Sequence, residues 1–175
     1  MKNTKLITML CLGALIACSP SKKGLEPTSE QVSPRERLIE NLRATPQKGI
    51  MFGHHDDTVY GIGWEFDEGG SDVQKVCGDY PAVISFDLGE IELGGDKSLD
   101  KVPFEKIRKE IINQYNRGGL VSLSWHPRNP KTGGDAWDVS DHAVVKSILP
   151  EGENYEKFQS WLGKVNDFIL SLKTS

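Results

Sequence analysis

The residues able to do chemistry fall in three short clusters, spaced along the 175-residue chain. The first is His54-His55-Asp56-Asp57, directly after Gly53. The second is Asp87, followed by Glu90 and Glu92. The third is Trp125-His126-Pro127-Arg128-Asn129, with Gly133-Gly134-Asp135-Ala136-Trp137 close behind. Imidazoles and carboxylates exchange protons and hydrogen bonds near neutral pH. Indole rings offer flat apolar faces with one N–H donor. Together they suit a ligand that presents both C–H patches and many hydroxyls, which describes a sugar. His126, set between an aromatic and a proline, is the foremost candidate, with Trp137 in a glycine-rich loop beside it. His54 and His55 are adjacent and must point in different directions, so one is expected to be a buried, hydrogen-bonded imidazole. Asp56 and Asp57 fit a turn cap as well as a functional role, and Asp87 fits the holding of a loop amide. A metal centre built from His54, His55, Asp87 and His126 fits poorly, because ligation prefers alternate residues on a strand or an i,i+4 pair on a helix. No metal or cofactor is expected.

Each cluster follows a stretch that reads as a strand. Ile50-Met51-Phe52-Gly53 is a short apolar run, expected to be a buried strand. Ala82 to Leu88 is rich in β-branched and aromatic residues and bounded by Pro81 and Gly89. Leu120 to Trp125 is the third. Helical patterns lie between them. Ser33-Pro34-Arg35-Glu36 offers an N-cap, a proline at the first helical position and a glutamate at the third, ahead of Leu38, Ile39 and Leu42. Ser71-Asp72 begins a brief helix through Val76. Pro103 opens a longer one with Phe104, Ile107, Ile111, Ile112 and Tyr115 on one face, closed by Gly118-Gly119. Phe158, Trp161, Leu162, Val165, Phe168, Ile169 and Leu172 keep helical spacing near the end.

Strands alternating with helices indicate parallel β/α units. They start near residues 50, 82 and 120, close to the roughly 31 residues per unit of an eight-unit barrel of about 250 residues. A doubly wound sheet would give the same local pattern. No GxGxxG or Walker loop follows any strand, which weakens a nucleotide-binding version. In a barrel, the three clusters would share the face at the carboxyl ends of the strands.

The N-terminus reads as a targeting segment. Lys2 and Lys5 precede an apolar run from Leu6 to Ala17, too short to span a bilayer. Leu15-Ile16-Ala17-Cys18 resembles the bacterial lipobox, in which the cysteine is acylated. Residues 1–17 are therefore expected to be a lipoprotein signal peptide and residues 18–32 a flexible polar tether, with residues 33–175 forming the folded part. A lipid on Cys18 would place the protein at the cell envelope, bound to a membrane through that anchor alone. Loss of the signal takes the net charge from −4 to −6. A mildly acidic chain without a basic run argues against nucleic acid. Cys77 is then the one cysteine left in the folded part, expected as a small buried apolar residue.

Lys48-Gly49-Ile50-Met51-Phe52-Gly53-His54-His55-Asp56-Asp57, Pro81 to Leu88, and Ser124-Trp125-His126-Pro127, in that order, resemble glycoside hydrolase family 26. The likeness covers roughly residues 33–175 and is strongest to β-mannanase lipoproteins of gut bacteroidetes. It implies an (α/β)8 TIM-type barrel, with the first three or so β/α units present here. It also implies retaining hydrolysis of internal β-1,4 bonds in β-mannan or galactomannan by two glutamates about 5–5.5 Å apart. In the family these follow the fourth and seventh strands, the first within an Arg-Pro-x-His-Glu motif. Neither motif occurs in this sequence, so the chain is expected to be cut off before both catalytic residues and to be inactive by itself. By the same resemblance, His126 corresponds to a sugar-contacting histidine and Trp137 to an aromatic wall. Glu92 or Glu90 corresponds to a sugar-binding glutamate, and Asp87 to a residue near the cleft floor, with His55 a further candidate for sugar contact. The alternative expectation is a lipid-anchored glycan-binding protein without catalysis.

Overall fold

The computed structural model describes residues 32–174. The expected signal peptide, Cys18 and the tether up to Gln31 lie outside the described residues. The described residues divide into two units, with the boundary after Arg43. Helix α1 (Pro34–Ala44) makes up most of the described part of the first. It opens as its sequence requires. Ser33 N–H donates to Glu36 Oε2 at 2.9 Å while Glu36 N–H donates to Ser33 Oγ at 3.2 Å, a reciprocal capping box.

The second unit is built on three parallel strands in the order β1 (Gly53–His55), β4 (Val83–Asp87), β5 (Leu120–Ser124). Each is followed by helix: α2 (Asp72–Cys77) after β1, α3 (Phe104–Asn116) after β4, and α4 (Val144–Ser147) with α5 (Tyr155–Ser171) after β5. A small antiparallel hairpin, β2 (Tyr60–Gly61) and β3 (Trp64–Glu65), stands in the first connection and was not expected. It turns over two residues, Ile62-Gly63, where Gly63 holds φ +77°. Residues flanked by such an X-Gly pair are a recognised hairpin signal, but two-residue strands are too short to show alternation.

β4 is the central strand and supplies the core. Its side chains alternate, so Ile84 and Phe86, with Leu88 beyond the strand end, are fully buried on one side. They pack on Phe104, Ile107 and Ile111 of α3, and Val121, Leu123, Val165, Phe168 and Leu172 lean on the same cluster. Burial of side chains this size contributes on the order of 2 kcal/mol each. Ser85 and Asp87 consequently face the other way, toward the site. The register pairs Asp87 with Ser124 and Ser85 with His55.

Four expectations need correction. The first strand begins three residues later than the apolar run, and that run is not buried: Ile50 is 99% and Phe52 60% exposed. Among the described residues β1 pairs with β4 alone, which leaves its other edge unpaired there. Tyr115 is exposed, because the buried stripe of α3 continues from Phe104, Ile107 and Ile111 to Gln114. Gln114 accepts burial by donating from Nε2 to Pro81 O at 3.0 Å, at the entry to β4. Cys77 is exposed at the end of α2 rather than packed inside. On α5, Trp161 is buried, but Leu162 and Ile169 remain about 40% exposed, so the apolar stripe is covered along one side.

Candidate functional site at the strand ends

The three clusters converge, as parallel register dictates. Strands running the same way must all release their following residues at one edge of the sheet. His54 and His55 end β1, Asp87 ends β4, and His126 lies two residues beyond β5.

Each of three half-exposed imidazoles stands over a buried carboxylate. His126 Nδ1 hydrogen-bonds Asp87 Oδ2, His55 Nε2 lies 3.3 Å from Asp56 Oδ2, and His54 Nδ1 lies 3.8 Å from Asp57 Oδ1. The three histidine side chains are each 48% exposed, and the three aspartates at most 3%. Neither His54 nor His55 is the buried imidazole that their adjacency suggested. The aspartates are the buried partners.

Asp87 is the best satisfied of them. It accepts from Ser124 Oγ at 2.7 Å and from Gly89 N–H, besides His126. Burial pushes its carboxyl up, but these donors outweigh burial and hold it below the usual aspartate value. An ionised carboxylate accepts and cannot donate. Nδ1 of His126 therefore carries the proton toward Asp87, and Nε2 is left for a partner outside. Trp137 fixes the ring from its other side. The two rings stack at 5.6 Å between centroids and 12° between planes. The indole is 66% exposed, so it retains surface for a second stacking partner.

Asp56 has the opposite character. Burial pushes its carboxyl up to about 6, with His55 and the Tyr60 hydroxyl opposing the shift and Asp100 and Asp87 adding to it. Its Oδ1 is buried without a hydrogen-bond partner, and its φ is +53°. Aspartate tolerates that conformation better than most residues. Asp57 has a structural task as well. It accepts from Ser71 Oγ and from Val73 N–H at 3.3 Å, while Ser71 Oγ caps α2 through Gln74 N–H at 2.9 Å.

Glu92 sits differently from what a direct sugar ligand requires. It is 1% exposed, and both its oxygens are taken, by Trp125 Nε1 at 2.9 Å and Arg128 N–H at 2.7 Å. Contact with a ligand would require it to leave both. Glu90 is nearer the surface and pairs with the Arg128 guanidinium at 2.9 Å. The structure thus brings His55, Asp87, His126 and Trp137 to one edge, with Glu92 beneath. Asp56 and Asp57 hold more of the site than a turn cap would, and the His-Asp adjacency at residues 54–57 is the signal for it. Among the described residues, no group of three or more His, Cys, Asp or Glu is disposed to hold a metal ion.

Parallel β/α units with polar residues gathered at the carboxyl ends of the strands define a barrel-type α/β fold of the kind that carries enzyme sites on that face. The profile of glycosyl hydrolase family 26 matches residues 27–175, and the chain belongs to that family. A mannan endo-1,4-β-mannosidase of Bifidobacterium adolescentis is 30% identical over 132 residues, covering 73% of this chain and 13% of its own length. A family 26 β-mannanase structure from Bacteroides ovatus is 63% identical, with a TM-score of 0.76, over 77% of this chain and 39% of that one. The catalytic domain of an endo-β-1,4-mannanase from Bacillus sp. JAMB-750 matches at 29% identity and a TM-score of 0.64, over 77% and 37%. The chain therefore spans well under half the length of these relatives. Its three parallel strands, each followed by helix, form part of a TIM-type (β/α)8 barrel.

Proposed function

We propose that this chain supplies the early strand-end wall of the substrate cleft in a retaining endo-β-1,4-mannanase acting on β-mannan or galactomannan. The observation that carries this reading is the Asp87–His126–Trp137 assembly. It holds an exposed imidazole in one tautomer and sets an exposed indole against it. A sugar hydroxyl would meet Nε2 of His126 and a sugar C–H face would lie on the free surface of Trp137.

The wall binds and orients the substrate, and other strand ends carry out the bond cleavage. Glu90 and Glu92 are committed to Arg128 and Trp125, which leaves neither free to give or take a proton at a glycosidic oxygen. The acid/base and the nucleophile are assigned to strands that follow the third in the barrel order. Retention requires their carboxyl groups about 5–5.5 Å apart. Acylation of Cys18 would hold the enzyme at the cell envelope, where polysaccharide arrives from outside.

The test is calorimetric titration of the protein with mannohexaose and, as control, cellohexaose. The two sugars differ at C2, where the mannose hydroxyl is axial. Preferential binding of mannohexaose, weakened in His126→Ala and in Trp137→Ala by about tenfold or more but still measurable, is the expected result. Equal affinity for the two hexasaccharides, or mannohexaose binding that neither substitution weakens, would overturn the assignment.

A further inference from the structure

We propose that Glu92 is a positioning residue: its carboxylate clamps the chain on both sides of His126 and so fixes where that imidazole stands. This rests on the sugar-binding role given above to His126. The geometry is that of a staple. Oε2 accepts from the indole N–H of Trp125, the residue before His126, at 2.9 Å. Oε1 accepts from the backbone N–H of Arg128, two residues after it, at 2.7 Å. Both bonds have a charged acceptor, which makes each stronger than a neutral bond.

The staple is itself held. Glu92 lies in a 3₁₀ turn, Ile91–Leu93, and its backbone carbonyl accepts from Lys164 Nζ of α5 at 2.6 Å. Trp125 is fixed a second time by stacking on Phe158 of the same helix, 5.9 Å between centroids. Glu90 adds an outer clasp, with its carboxylate 2.9 Å from the Arg128 guanidinium. That clasp accompanies a left-handed backbone at Glu90, φ +70°, which is rare for a residue with a side chain. Trp125 and Arg128 are therefore each held by a carboxylate from the turn at 90–92, with His126 between them.

His126 has two restraints of its own, Asp87 and Trp137. Asp87 sets the direction of Nδ1, but the distance from His126 to Asp87 depends on where the backbone at 125–128 runs. Glu92 sets that path. A buried glutamate with no opening to a ligand, spending both oxygens on the neighbours of a site residue, is the arrangement by which a supporting shell orients a functional side chain.

The test substitutes Glu92→Gln, which keeps shape but replaces one acceptor by an amide that donates. One of the two N–H groups then faces another donor. Two readouts are taken on the ¹⁵N-labelled protein. The first is the pair of ring nitrogen resonances of His126, which report the Nδ1–H bond to Asp87 without any ligand. The second is the affinity for mannohexaose in Glu92→Gln, His126→Ala and the double variant. The expected result is displaced or broadened His126 resonances, with mannohexaose affinity about tenfold weaker in Glu92→Gln. The double variant should bind no more weakly than His126→Ala, because Glu92 acts through that ring. Unchanged His126 resonances in folded Glu92→Gln, or affinity losses that simply add, would overturn the proposal. Should the wild-type protein not bind mannohexaose, the proposed function falls, and the His126 resonances alone decide the role of Glu92. Should Glu92→Gln fail to fold, Trp125→Phe removes one of the two donors and the same resonances decide.

Discussion

Asp56→Asn should abolish a pH dependence of stability that the wild-type chain carries between about pH 4 and 6. Asp56 is 2% exposed, and its carboxyl is raised from 3.8 to about 6, first by burial. The sign follows from proton counting. Between those two values the folded chain keeps the proton and the unfolded chain has released it, so stability falls as pH rises. Each pH unit costs about 1.4 kcal/mol, and roughly two units give at most about 3 kcal/mol. Solvent reaching the half-exposed ring of His55, 3.3 Å away, screens the site and brings the expected loss to about 2 kcal/mol. Urea unfolding of both proteins from pH 4 to 7, at one fixed protein concentration, measures it. The wild type should lose about 2 kcal/mol relative to Asp56→Asn across that range. Asparagine keeps the left-handed backbone accessible, so strain cancels in the comparison. A difference between the two proteins that stays constant from pH 4 to 7, or rises, would refute the reasoning.

Asp87 acts in the other direction. Its depressed carboxyl contributes stability above the usual aspartate value that is lost as pH falls through the folded one, so acid unfolding should steepen below about pH 4 in the wild type and not in Asp87→Ala. At neutral pH, Asp87→Ala leaves Ser124 Oγ, Gly89 N–H and His126 Nδ1 without their acceptor, an expected loss of about 3 kcal/mol in urea unfolding. The wild-type chain should partition into the membrane fraction and Cys18→Ala should leave it; a wild type that is wholly soluble would exclude the anchor. A chain of residues 19–175 should self-associate in size exclusion, since β1 and β5 each pair on one side and Ile50 and Phe52 lie open beside β1. A monodisperse monomer with one sharp thermal transition would contradict that.

Much of the fold was legible because period and punctuation agreed. Val83 to Asp87 is β-branched and aromatic between a proline and a glycine, and it is the central strand. Pro103 and Gly118 bracket α3 within a residue or two. Legibility fails where burial is decided by neighbours distant in sequence. Ile50 and Phe52 are as apolar as any core residue, yet their exposure depends on what lies across the sheet edge. Gln114 shows the converse. Its polarity argued against the core, but a carbonyl at Pro81 waits for its amide. Cys77 follows the same logic, since a six-residue helix with a free outer face has room for an exposed thiol.

The site was legible to the level of its clusters and no further, and the reason is geometric. Parallel strands must deliver their ends to one edge, so His55, Asp87 and His126 could be brought together from spacing alone. What each carboxylate does depends on donors that lie across strands and turns. Asp87 and Glu92 are both carboxylates close to the third cluster, and spacing alone does not separate their tasks. Ser124, which settles the ionisation of Asp87, is in register with it on β5, 37 residues away. The donors that occupy Glu92 are 33 and 36 residues away. Both carboxylates therefore serve His126 before they serve any ligand, one gripping its ring and the other the residues that flank it. A sugar arriving at this wall would meet the imidazole and the indole, with the carboxylates beneath them.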